Sequence, residues 1–222
     1  MKKILLFFVV FGYTAGVNAQ CNPYYSFKDG ASWEITNYNA KDKVEGRQLN
    51  TVKSMEEIAN GWTAEMNMKS YDKKDELVLD KDIEASCEDG IIKMDMDRFF
   101  TEETMQAFKD MDMSIETTNL EIPSDLAVGK VLNDASLKMS GSMPFKMEVN
   151  IVDRKVVAKE SIKTSAGTFE CYKITYTIKT KTIMSMETKG ADWIAENVGM
   201  VRSENYNKNG KLKGYSLLTK MY

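Results

Sequence analysis

The chain has 222 residues, with 33 acidic and 30 basic side chains scattered along it, and a formal net charge of −3. Mild acidity without a basic patch argues against a nucleic-acid partner. With no histidine at all, His-based triads, imidazole zinc sites and histidine-ligated haem are excluded, and neither a phosphate-binding glycine loop nor a Gly-x-Ser-x-Gly elbow occurs.

Residues 1–19 read as a secretory signal peptide. Lys2 and Lys3 precede the apolar run Ile4 to Val17, and Val17-Asn18-Ala19 offers a cleavage site. Lipidation at Cys21 is disfavoured because the bulky amide Gln20 precedes it. No other stretch is apolar enough to form a transmembrane segment, so residues 20–222 are expected to form one soluble β-rich domain in the periplasm, outer-membrane-associated or released. Without the two leader lysines the charge becomes −5 instead of −3.

Cys21, Cys87 and Cys171 are an odd set for an exported protein, so at most one internal disulfide forms. Three pairings are open. Cys21–Cys87 is favoured because it staples a loose end to a strand end beside the turn Glu88-Asp89-Gly90, leaving Cys171 as a buried mid-strand thiol.

Period-two alternation then dominates. Trp62, Ala64, Met66 and Met68 alternate with polar neighbours, as do Phe145, Met147, Val149 and Ile151, and later Tyr172, Ile174, Tyr176 and Ile178. Each pattern predicts an antiparallel strand with one face toward a core. NYNAKDKVEGRQL (Asn37 to Leu49) matches NYNKNGKLKGYSL (Asn205 to Leu217), and YDKKDELV (Tyr71 to Val78) is a looser copy. All three read as hairpin turns, since Asn, Asp and Gly tolerate positive φ. One segment has helical spacing: Thr101 as cap, acidic Glu102 and Glu103 in the first turn, then Met105, Phe108 and Met111 as an apolar stripe. Pro123 and Pro144 fall at strand boundaries. The expected architecture is α+β and mostly antiparallel β, a curved sheet or open β-barrel partly closed by one helix.

Arg154 to Ile162, Thr164 to Ile174, Asp192 to Ala195 and Val198 to Glu204, together with the early Cys21-Asn22-Pro23-Tyr24-Tyr25 and Gly30, resemble an uncharacterised exported family of Bacteroidota, labelled TapB-like or a domain of unknown function. The stretch Trp193 to Val201 is also similar to lipoprotein-carrier half-barrels of the LolA and LolB type. The first resemblance implies a bent sheet or open barrel in the envelope of a two-membrane bacterium and lends no catalytic residues. The second suggests a carrier by fold analogy alone.

Sixteen methionines remain to be explained. The pairs Met66/Met68, Met94/Met96, Met111/Met113 and Met184/Met186 are spaced two apart, which on a strand places both thioethers on one face. Soft thioethers suit Cu(I). Yet Met66 and Met68 continue the stripe of Trp62 and Ala64, and Met94 and Met96 that of Ile92, where a core or cavity lining would lie anyway. Methionine makes an adaptable apolar surface. The favoured reading is a non-enzymatic envelope protein that binds or carries an apolar ligand, a lipid or acyl chain, without cofactor or metal. Its lining is expected from Trp62, Met66, Met68, Met94, Met96, Met105, Phe108, Met111, Met147, Tyr172 and Tyr176. The alternatives are a Cu(I)-binding envelope protein and a purely structural or interaction domain.

Overall fold

Alternating sequences that place one apolar face per strand can bury that face only by curling the sheet upon itself or by stacking on another layer. This chain curls. The structure, a computed structural model, describes residues 21–25, 28–94, 102–141 and 146–222, with the backbone alone at 102, 103, 105 and 109. The predicted signal peptide, the Thr101 cap, Pro144, Phe145, Met96 and the Met105 side chain lie outside the described residues.

In chain order the strands are β1 (Ser32–Asn39), β2 (Val44–Ile58), β3 (Gly61–Asp72), β4 (Leu77–Glu88) and β5 (Ile91–Met94), followed by helix α1 (Glu102–Asp110). After the helix come β6 (Met113–Thr118), β7 (Leu120–Pro123), β8 (Ala135–Gly141), β9 (Met147–Thr164), β10 (Gly167–Lys181), β11 (Ser185–Ala195), β12 (Gly199–Asn207) and β13 (Leu212–Met221). They form one 13-stranded sheet in the order β6-β8-β9-β10-β11-β12-β13-β1-β2-β3-β4-β5-β7. The two edge strands, β6 and β7, are separated in sequence by Asn119 alone. Two peptide units reach no further than about 7.6 Å, so the edges of the sheet meet there. The result is a nearly closed antiparallel barrel with one seam. The architecture expected from the alternation and the single helical segment is the one observed.

A buried arginine clamps the seam. Arg154 of β9 is 3% exposed, and its guanidinium donates from Nη1 to the Asn133 carbonyl and from Nη2 to the Glu121 carbonyl at 2.8 Å. Those carbonyls belong to the β7 side and to the segment entering β8. α1 crosses from β5 to β6 and packs on β6, with Phe108 against Met113, Ala135, Leu137 and Met139.

The three similar turns adopt one design. Asn39 Oδ1 accepts from the amides of Lys41 and Lys43, Asp72 Oδ1 from those of Lys74 and Glu76, and Asn207 Oδ1 from those of Asn209 and Lys211. Asp42, Asp75 and Gly210, at the matching position, have φ of 59°, 68° and 78°. A side-chain acceptor beside a left-handed residue explains why the same short polar string recurs.

Residues 21–25 plug one end of the barrel. Cys21 is joined to Cys87 by a disulfide with a Cα–Cα distance of 6.2 Å. Asn22, fully buried, donates to the carbonyls of Gly90 and Ile122 and accepts from the Tyr24 amide. Tyr24 then enters the main core beside Val52, Trp62, Met66, Ile92 and Met94. A second core lies on the opposite face of β10–β12, where Cys171, Ala191, Trp193 and Val201 pack with Leu218.

Candidate functional site

The barrel interior is filled at the end plugged by Tyr24 and hollow toward the β10–β11 turn. The hollow is a cavity of roughly 460 Å³, within the range of about 300–1,000 Å³ usual for small-molecule sites. Strand alternation builds most of its wall. β9 turns Met147, Val149 and Ile151 inward, and β10 does the same with Ile174, Tyr176 and Ile178. β7 adds Leu120 and Ile122, and β8 adds Leu137.

The polar part of the wall depends on two irregularities. Continuing β9 by twos from Ile151 would bring Asp153 inward. Instead Asp153 has φ 57° at a break in the β9–β10 register, and Arg154 faces the cavity. On β11, Gly190 lies opposite Tyr176. A β-carbon there would come within 2.2 Å of the Tyr176 ring, so only glycine lets the ring lie flat against the strand. Next to it, Asp192 pairs with Ser203 of β12, and Gly190 with Asn205. Tyr176 Oη donates to Asp192 Oδ1 at 3.2 Å. Thus Arg154, Tyr176, Asp192, Ser203 and Asn205 form a polar belt within otherwise apolar walls.

Electrostatics follows from burial. Desolvation pushes the Arg154 guanidinium below its usual range, and the Asp192 charge is the largest influence opposing it. The Tyr176 hydroxyl is held far above the usual phenol range, first by burial and then by the adjacent Asp192 carboxylate. At neutral pH the Tyr176 hydroxyl is thus a neutral hydrogen-bonding group facing Asp192.

Of the residues expected to line a ligand site, Met147 and Tyr176 face this cavity. Trp62, Met66 and Met94 belong to the filled core beneath, and Met68 is buried on β3. Tyr172 stands edge-on to Tyr24 with ring centroids 6.1 Å apart. Phe108 packs in the cluster of Met113, Met139 and Met147. Met111 follows α1 and is 38% exposed. The cavity thus lies between strands β7–β12, whereas the expected lining had included Met105, Phe108 and Met111 of the helical segment. Val149, Ile151, Ile174 and Ile178 were legible as an inward face by alternation. Arg154, Asp192 and Ser203 carried no such signal. At the apolar end of the cavity, beyond Met147 and Ile178, the β10–β11 turn exposes Ile183 and Met184 by 94% and 79%.

Cys171 is not part of this site. It is fully buried in the second core, where burial above all, then Glu170 and Glu160, push the thiol up to about 12. We expect negligible alkylation of Cys171 by iodoacetamide at pH 8 in the folded protein and full alkylation in urea, read by mass spectrometry. Rapid labelling of the native state would contradict this placement. Among the described residues, no group of three or more Asp, Glu or Cys side chains is arranged to hold a metal ion.

Residues 28–218 match the family described as DUF3108-like. Two solved structures are similar over 91% of this chain and 100% of their own. One is a Parabacteroides distasonis protein described as a lipoprotein, 25% identical with a TM-score of 0.75. The other is a Bacteroides fragilis protein described as exported, with a YmcC-like fold, 24% identical with a TM-score of 0.73. No curated protein matches the chain.

Proposed function

The chain belongs to the DUF3108-like family, and from that premise we propose a non-enzymatic exported protein whose barrel binds or carries an apolar ligand, a lipid or acyl chain. The observation that carries this reading is the cavity of roughly 460 Å³ walled by Leu120, Ile122, Leu137, Val149, Ile151 and Ile178. A packed core of this size closes voids larger than a water molecule, because each unfilled methyl-sized space costs about 1 kcal/mol. An apolar hollow of this size, partly open to solvent, is the form a small-molecule site usually takes. Export is supported by the leader-like residues 1–19 and by the description of the P. distasonis and B. fragilis proteins as a lipoprotein and an exported protein. The non-enzymatic reading rests on the missing histidine and on the shielded Cys171 thiol.

Native mass spectrometry of protein prepared without detergent is expected to show a co-purifying lipid mass, and delipidated protein should take up N-phenyl-1-naphthylamine saturably. Absence of both signals would overturn the proposal.

A further inference from the structure

The head group of the ligand can be argued from the polar belt. Among the described residues, Arg154 and Asp192 are the two formally charged side chains lining the cavity, and their charges cancel. An anion added to this pair would leave a net charge within mostly apolar walls only partly open to solvent, which is unfavourable. The belt nevertheless offers both kinds of hydrogen-bonding group. Arg154 has five N–H donors and spends two on the carbonyls of Asn133 and Glu121. The Asp192 carboxylate accepts, and Ser203 and Asn205 can do either.

The arrangement along the strands gives the orientation. On β9 the order inward is Met147, Val149, Ile151 and then Arg154, and on β10 it is Ile178 and then Tyr176. The apolar collar therefore lies toward the β10–β11 turn, and the belt lies next to the filled core. We propose that the cavity takes a single-chain amphiphile with an uncharged head bearing both hydroxyl and carbonyl groups, of the acylglycerol class, in preference to a free fatty acid. The head sits at Arg154, Asp192 and Ser203, and the chain runs along the collar toward the turn. A cavity in the lower half of the usual range suits one acyl chain and not two. This inference rests on the apolar-ligand reading above.

Displacement of N-phenyl-1-naphthylamine at pH 8 tests it, using 1-lauroylglycerol and laurate below their micelle concentrations. The native protein is expected to bind 1-lauroylglycerol at least tenfold more tightly than laurate. Asp192→Asn keeps an acceptor for the Tyr176 hydroxyl but gives the belt a net positive charge, so it should tighten laurate at least tenfold and reverse the order. A matching thermal melt and circular dichroism spectrum show that the variant is folded. Laurate binding as tightly as 1-lauroylglycerol to the native protein overturns the head-group inference. Dye uptake that neither amphiphile displaces also overturns it, while leaving the apolar-cavity reading standing. Failure of the dye itself to bind removes both.

Discussion

Loss of the Cys21–Cys87 bond is expected to lower the unfolding free energy by about 4 kcal/mol, the loop-entropy value for a closed loop of this length. The two cysteines are separated by 66 positions, and the loop between them contains all of β1, β2 and β3 and most of β4. The bond also does local work. It holds residues 21–25 against the barrel end, where Asn22 satisfies the carbonyls of Gly90 and Ile122 and Tyr24 fills the core beside Trp62. Without it, the plug is retained only by its own hydrogen bonds and packing. Urea unfolding of the native protein with and without reductant measures the difference. The double variant Cys21→Ser with Cys87→Ala avoids leaving a thiol at Cys87, which has no exposure. A change below about 1 kcal/mol would mean that the plug docks independently of the bond.

Gly190→Ala should have the larger effect on binding. Its new methyl would lie 2.2–2.7 Å from Cε2, Cζ and Oη of Tyr176, so the ring must leave its place against β11. The ring has no room to move into the strand and must swing toward the cavity, parting from Asp192. Overpacking of this kind costs about 1–3 kcal/mol, and the displaced ring occupies space meant for a ligand. We expect a lower melting temperature together with loss of dye uptake. The double variant Gly190→Ala with Tyr176→Ala removes the clash and should regain uptake, giving a strongly non-additive cycle. If uptake by Gly190→Ala alone equals that of the native protein, Tyr176 does not form the cavity wall in solution.

Much of the barrel could be read from the chain directly. The alternation of Trp62, Ala64, Met66 and Met68 on β3, and of Ile174, Tyr176 and Ile178 on β10, reports the period of two of an extended backbone. The recurring Asn/Asp turns were equally legible, because side-chain acceptors and left-handed tolerance act locally. The favoured Cys21–Cys87 pairing is the bond seen in the structure. Arg154 was not legible, because one left-handed residue at Asp153 shifts the inward set by one position, and simple counting then gives the wrong face.

By itself, then, the sequence determined the faces of the regular strand stretches, turn positions, the lone helical segment and the exclusion of histidine chemistry, all of them local or compositional properties. Only the tertiary structure decided which inward faces meet a filler and which enclose a void. Trp62, Met66 and Met94 share an inward pattern with Val149, Ile151 and Ile178, but Tyr24, from the segment ahead of β1, packs into the first group and leaves the second uncovered. The seam at Asn119 was likewise decided only there, by long-range pairings that place β6 and β7 at opposite ends of one sheet. Whether an apolar face becomes core or cavity depends on what arrives from elsewhere in the chain, and period-two alternation carries no information about that.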